Sequence, residues 1–146
     1  MASARVSTGD PRPTPLLAAV GLSAYLLFTL ELVTGRLLLP VFGGSPSVWT
    51  TALCFYAGVV LTGYAYAHVL VTKMNERSAT MVHCALLAVA VVAALVAPRD
   101  VAALRSDGVA PVANVLWALA VLSGLPAFVL SATTPLLSAR YAEHHG

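Results

Sequence analysis

A carboxylate and a guanidinium, Glu31 and Arg36, stand five residues apart in a stretch that is otherwise mostly apolar. An ionisable side chain in such surroundings is costly to bury, so it marks either a functional charge site or a polar contact between helices. Five helical residues separate the two side chains by about 140°, so they do not pair along one helix. We predict that Glu31 is buried with a hydrogen-bond partner on another helix, and that Arg36 extends toward the nearer surface.

Two histidines offer a second chemistry. His68 closes the sequence GYAYAH, and His83 follows the next charged link, which places both at a similar depth on neighbouring helices. Such a pair can ligate a metal or a b-type haem, but histidines and tyrosines at a membrane interface give the same pattern. We predict neither a metal nor a cofactor. The sequence also has no phosphate-binding glycine loop, zinc-ligand spacing or nucleophile elbow.

The last apolar segment carries small residues at four-residue spacing. Ser123, Ala127 and Ser131 form a face that lets another helix approach closely. Gly124 and Pro126 lie within this face, and a proline inside a helix removes a hydrogen bond and kinks the helix. We therefore predict close packing and a kink here. Transporters also build substrate sites from broken helices with nearby hydroxyls, which is an alternative interpretation.

The elements that must position these side chains are apolar runs long enough to cross a membrane. The 146 residues are 59% hydrophobic and only 10% charged, whereas a soluble domain carries about 25% charged residues. The net charge of +2 and the lack of a basic stripe argue against nucleic acid as a partner. A spanning helix needs about 20 apolar residues. We predict an all-α, integral membrane four-helix bundle with helices at residues 16–39, 48–71, 79–97 and 112–138.

The Lys and Arg residues beside these runs predict the orientation. The N-terminal tail, the second link and the C-terminus together carry more of them than the first and third links. Cytoplasmic flanks of membrane helices are enriched in Lys and Arg, so both termini are expected in the cytoplasm. We expect a disordered cytoplasmic tail at residues 1–14, the membrane domain at 15–140 and a short C-terminal tail at 141–146.

The first link is expected to be a tight hairpin without charge. Prolines disfavour helix at the preceding residue, and glycines allow backbone conformations that other residues avoid. Helix one should therefore end near residue 39, Ser47 should cap helix two, and Ser78 should cap helix three. The residues that form the hairpin are Pro40, Gly43, Gly44 and Pro46.

Three stretches resemble one bacterial family. They are GRLLLPVFGGSPSVWTT at 35–51, GYAYAH at 63–68 and GLPAFVLSATTPLL at 124–137. From about residue 26 to residue 137 the chain is similar to the N-terminal membrane region of membrane-bound spermidine-synthase-like proteins, often described as fused major-facilitator/spermidine synthases. In that family a glutamate and an arginine precede the LLLP sequence, and here they fall on Glu31 and Arg36.

The resemblance implies a membrane bundle without the family's chemistry. Family members continue into further membrane helices and a Rossmann-type, aminopropyltransferase-like domain for decarboxylated S-adenosylmethionine and a polyamine. This chain stops at SARYAEHHG, so we expect no enzyme activity. We interpret the protein as a non-catalytic accessory or scaffold subunit of a larger complex in the bacterial inner membrane, partnered by lipid and by other membrane subunits or its own copies. The alternatives are an oligomeric transport module for a small polar or cationic, polyamine-like solute, and a haem- or metal-binding membrane subunit.

Overall fold

The computed structural model describes residues 14–145, with side chains at 14 and 16–142. Within this range the chain is helical and contains no β-strand, as predicted. The predicted N-terminal tail lies outside the described residues except for Thr14, where the first helix begins. The last helix continues through residues 141–145. The helices are α1 (Thr14–Phe42), α2 (Pro46–Lys73), α3 (Glu76–Val96), α4 (Pro111–Leu119) and α5 (Leu125–His145), with a 3-10 turn at Ala102–Leu104 and a π-helical segment at Ala120–Gly124.

Four helical stretches are long and apolar enough to cross a membrane. The shortest has 21 residues, which at 1.5 Å per residue is about 30 Å, the thickness of a hydrocarbon core. Each stretch matches one of the predicted apolar runs to within a few residues, and by length and composition each is a candidate membrane span. They are Leu16–Phe42, Pro46–Lys73, Glu76–Val96 and Pro111–Ala142, the last formed by α4, the π-helical segment and α5 together.

The fourth span occupies the centre of the bundle, where α5 contacts α1, α2 and α3. Half of its most apolar window is buried, against 6% of the corresponding window of the first span. Small side chains allow this central position, because Ala118, Ala127 and Ala132 are fully buried and let the neighbouring helices approach. The outer faces of the other three spans are left open.

The fourth span changes its winding at the predicted kink. Residues Ala120–Gly124 form π-helix, and α-helix resumes at Leu125, one residue before Pro126. A proline has no amide hydrogen to continue the hydrogen-bond ladder, and its ring clashes with the carbonyl four residues earlier. A wider π turn relieves this clash, which explains why the span continues through the proline instead of ending there.

The turn between α1 and α2 differs from the sequence prediction. The first helix passes through Pro40 and ends three residues later than expected, because a proline in the last turn removes only one hydrogen bond. Gly43 then turns the chain with a φ of 76°. The second helix begins at Pro46 with Ser45 as its N-cap, since proline is well suited to the first helical position. Ser47 is therefore inside the helix and does not cap it.

The cap of α3 also lies earlier than predicted. Asn75 is the N-cap, and its Oδ1 accepts a hydrogen bond from the backbone amide of Ser78 at 3.1 Å. Asparagine caps helices at least as well as serine, so the first available residue after α2 takes the role.

The loop between α3 and α4 is fastened by one buried side chain. Asn114 is 6% exposed. Its Oδ1 accepts from the backbone amide of Ser106 at 3.1 Å, and its Nδ2 donates to the carbonyls of Ser106 at 3.0 Å and Val109 at 3.3 Å. Arg105 donates to the carbonyl of Val41 at 3.2 Å, which joins the same loop to the end of α1.

Candidate functional site

A group of hydroxyls joins three helices beside the π-helical segment. The hydroxyl of Tyr56 lies 2.9 Å from Oγ of Ser123. Ser123 uses its single proton on the carbonyl of Leu119 at 3.0 Å, so Tyr56 must be the donor between the two hydroxyls. The side chain of Thr34 of α1 lies beside the same tyrosine. We refer to Thr34, Tyr56 and Ser123 as the hydroxyl cluster.

Glu31 lies at the edge of the hydroxyl cluster, in an open groove between α1 and α2. The groove has a volume of about 530 Å³. The carboxylate is close enough to Tyr56 to act on it electrostatically. The other walls are apolar or aromatic, so Glu31 is the one carboxylate that lines this α1–α2 groove among the described residues. The remaining lining residues are Leu53, Ala57, Val60, Leu61 and Tyr64.

The surroundings of Glu31 differ from the sequence prediction. Its side chain is half-buried instead of buried, and within residues 14–142 it forms no hydrogen bond or ion pair with another helix. The physical reason lies in the cluster, where the hydroxyl of Tyr56, on which the carboxylate acts electrostatically, donates to Ser123 and not to Glu31. Arg36 is exposed and does not pair with Glu31.

A second polar group lies between α3 and α5. His83 is 9% exposed, and its Nε2 lies 3.1 Å from Oγ1 of Thr133. Thr133 donates its own proton to the carbonyl of Val129 at 2.9 Å, so Nε2 carries a proton and donates to the threonine. In the neutral ring, Nδ1 is then the acceptor. The sequence suggested an interfacial histidine, whereas the structure buries this one against the central helix.

Two polar atoms near this histidine have no partner. Nδ1 of His83 and the hydroxyl of Tyr66 are buried and lack a hydrogen bond in the described part of the chain. The ring centroids of Tyr66 and His83 are 6.2 Å apart. Tyr66 also packs on Phe128, with ring centroids 5.2 Å apart. An unsatisfied buried donor or acceptor costs about 1–3 kcal/mol. Ring packing, and not hydrogen bonding, therefore holds Tyr66 in place.

A slot opens between α3 and α5 beside the same histidine. Its volume is about 190 Å³ and its walls are almost entirely apolar. Arg140 lines one end, where its guanidinium donates to the hydroxyl of Thr80 and to the carbonyl of Glu76, the latter at 3.2 Å. The other residues that line this α3–α5 slot are His83, Cys84, Leu87, Thr133, Leu136 and Leu137.

The small residues of the fourth span lie at helix contacts. A Cβ added to Gly63 of α2 would stand 2.1 Å from Oγ of Ser131, so only glycine lets α2 come this close to α5. Ser123 and Ala127 are fully buried, and Ser131 is 4% exposed. A Cβ on Gly124 would meet the ring of Phe55 at 3.7 Å, which is ordinary contact.

The two histidines are not brought together. His68 is exposed and forms neither a ring contact nor a hydrogen bond with His83 among the described residues. Nε2 of His83 is already hydrogen-bonded to Thr133. Within the described residues, no group of three or more His, Cys, Asp or Glu side chains could hold a metal ion. The cysteines Cys54 and Cys84 are free thiols, both exposed.

Sequence reasoning missed most of these partners. Tyr56 and Ser123 are 67 residues apart, so no local pattern links them. Gly63 is different, because a glycine in the middle of a helix is itself a signal that another backbone approaches closely. Asn114 also left a signal, since a lone amide at the start of an apolar run needs partners once it is buried.

Four helices of the described chain are long and apolar enough to cross a membrane. Comparison of the chain with protein-family models, with curated proteins and with solved structures gave no match. The similarity to the spermidine-synthase-like membrane region therefore stays a prediction from the sequence.

Proposed function

We propose that the protein is a non-catalytic accessory subunit of a larger complex in the bacterial inner membrane, inserted with both termini in the cytoplasm. Its four spans supply the membrane part, and the excess of Lys and Arg on the side of the termini supports the orientation. The partner is a membrane helix, either of another subunit or of a second copy, that docks in the α1–α2 groove.

The observation that carries this proposal is the half-buried carboxylate of Glu31 in an otherwise apolar groove. An acidic side chain near the middle of a membrane helix costs about 2.5 kcal/mol or more on insertion scales. Within the described residues it forms no hydrogen bond or ion pair to offset that cost. A docked helix that presents a hydrogen-bond donor or a cation would satisfy the carboxylate and cover the apolar walls.

The open outer face of α1 supports the same partner. Only 6% of the apolar window of α1 is buried by the rest of the chain. Leu53 and Leu61, which line the groove from α2, are 61% and 70% exposed. Packing between membrane helices is driven by close van der Waals contact and polar pairs, and the groove offers both.

The proposal can be tested with a photo-cross-linking residue at Leu61, in the groove, and a matched one at Val89, which is 55% exposed at a similar depth on α3. We expect a protein adduct from Leu61 in cells and none from Val89. The adduct should disappear when Glu31→Leu is added. Equal adducts from both positions, or adducts with lipid alone from Leu61, would contradict a docked helix in the groove.

A second candidate function is an oligomeric transport module for a small cationic solute. The observation in its favour is the polar row from Glu31 through Tyr56 to Ser123, which leads from the groove to the π-helical segment. Transporters place substrate groups at irregular helix segments of this kind. Uptake of a labelled polyamine into liposomes tests it. Transport that survives in the Glu31→Gln variant would exclude the glutamate as the charge site.

A further inference from the structure

We propose that the α3–α5 slot binds an anionic phospholipid, with one acyl chain between the helices and the phosphate on Arg140. The proposal rests on membrane insertion but not on a partner in the α1–α2 groove. The slot is lined by α3 and α5 and shares no lining residue with the α1–α2 groove, and nothing in the resemblance assigns a role to it.

The shape of the slot fits a chain and not a compact polar ligand. It is lined from Thr80 to Leu87 along α3, a rise of about 10 Å at 1.5 Å per residue. Leu136 and Leu137 form the facing wall on α5. An elongated, open-sided cavity with apolar walls between two membrane helices favours an acyl chain, which adapts to such walls without unsatisfied polar groups.

The charge at one end of the slot fits a phosphate. A guanidinium has five N–H donors, and Arg140 directs two of its nitrogens to Thr80 and to the carbonyl of Glu76. These contacts hold the guanidinium at the mouth of the slot and leave further N–H groups for an anion. Arginine and phosphate form strong, often bidentate hydrogen bonds.

The position of Arg140 matches the depth of a lipid headgroup. It lies near the end of the fourth span and beside the first turn of α3. Lys73 ends α2 and Arg77 is the second residue of α3, after Glu76, so three cations, Lys73, Arg77 and Arg140, and one carboxylate lie at this end of the two helices and the slot. Basic residues next to a membrane attract anionic lipids. The apolar slot is thus placed to hold the tail of a lipid, and the cation beside it is placed to bind the headgroup of the same molecule.

The test uses the full chain in detergent micelles with phosphatidylglycerol or phosphatidylcholine added, and counts retained lipid by native mass spectrometry. We expect one phosphatidylglycerol to be retained in preference to phosphatidylcholine. The Arg140→Gln variant should weaken that retention about fivefold, the effect of about 1 kcal/mol for one basic residue near an anionic surface. Arg77→Gln is the matched control, since it removes the same charge from the same end but does not line the slot, and should retain the lipid.

A second variant tests the chain-binding part independently of charge. Cys84→Trp should fill the slot and reduce retention while leaving Arg140 in place, and the melting temperature of each variant shows that it is folded. Three results would overturn the proposal: equal retention of both lipids, equal losses in Arg140→Gln and Arg77→Gln, or no loss in Cys84→Trp. Displacement of the lipid by inorganic phosphate would assign the site to a free anion instead.

Discussion

The hydroxyl of Tyr56 donates a hydrogen bond to the hydroxyl of Ser123, 2.9 Å away, and so joins α2 to the π-helical segment of the central span. Tyr56 is the donor because Ser123 donates its hydroxyl proton to the carbonyl of Leu119. The pair lies where the central span changes its winding. The contact therefore places α2 relative to the one segment of the described fourth span that departs from α-helix.

Replacing Tyr56→Phe should destabilise the bundle by about 1 kcal/mol, because Ser123 loses a donor in a buried position. Hydrogen bonds between membrane helices average about 0.6 kcal/mol, which sets the lower end of the expected loss. Unfolding by a denaturing detergent in mixed micelles measures the difference in free energy.

Tyr66→Phe is the matched control for that loss. It removes the same hydroxyl from the same helix, but this one is buried without a hydrogen-bond partner among the described residues. We expect no loss, or a gain in stability, because an unsatisfied group is removed while the ring contacts with Phe128 stay. Equal losses in the two variants would mean that the hydrogen bond to Ser123 is not the cause.

The variant Gly63→Ala should separate α2 from α5. Its Cβ would stand 2.1 Å from Oγ of Ser131 and 3.1 Å from the carbonyl oxygen of Phe128, so the helices must move apart. Overpacking of this kind costs about 1–3 kcal/mol. Gly58→Ala, on the same helix with open space around it, should cost nothing.

A double variant locates the clash in Gly63→Ala. Ser131→Gly removes the hydroxyl that the new methyl group meets, so combining the two should recover part of the lost stability. Recovery should be incomplete, since the backbone of α5 also lies within 3.2 Å of the added Cβ. A double variant that is less stable than the sum of the single losses would place the clash elsewhere.

The sequence predicted the helices well because their signal is local. A run of about 20 apolar residues is itself the property that makes a span, so four runs became four long helices. The exceptions arose where two local rules compete. Pro40 was expected to end α1, but a proline in a last turn costs only one hydrogen bond, and the helix continues to Phe42.

The contacts of the candidate site were harder to predict from the sequence, because they join residues far apart in the chain. His83 meets Thr133, fifty residues away, and Tyr56 meets Ser123. The small-residue spacing in the fourth span indicated that a helix would approach, but not that Gly63 would be the point of contact. For Glu31 the sequence indicated a costly charge, and only the structure shows that the hydroxyl of Tyr56 is directed to Ser123 instead.

The variant Asn114→Ala should loosen the loop between α3 and α4. Three hydrogen bonds to the backbone of residues 106 and 109 are lost together, and the backbone amide of Ser106 loses its acceptor. We expect a loss of about 1–3 kcal/mol and faster hydrogen exchange at the amide of Ser106. Ser138→Ala, which removes only a bond within its own exposed helix turn, is the control. Unchanged exchange at Ser106 would contradict the role of Asn114.

The last prediction separates stability from partner binding at Glu31. In the isolated chain, Glu31→Leu should leave stability unchanged or raise it, because within the described residues the carboxylate has no hydrogen-bond partner to lose and the groove is otherwise apolar. In cells, the same variant should abolish the cross-link from Leu61, whereas Glu31→Gln should keep it, because an amide still accepts a hydrogen bond from a partner helix. Melting of the purified variants and cross-linking in cells give the two readouts. A large loss of stability in the isolated Glu31→Leu chain would show that Glu31 makes a stabilising contact within its own bundle. A Leu61 cross-link that persists in that variant would show that Glu31 is not part of the docking surface.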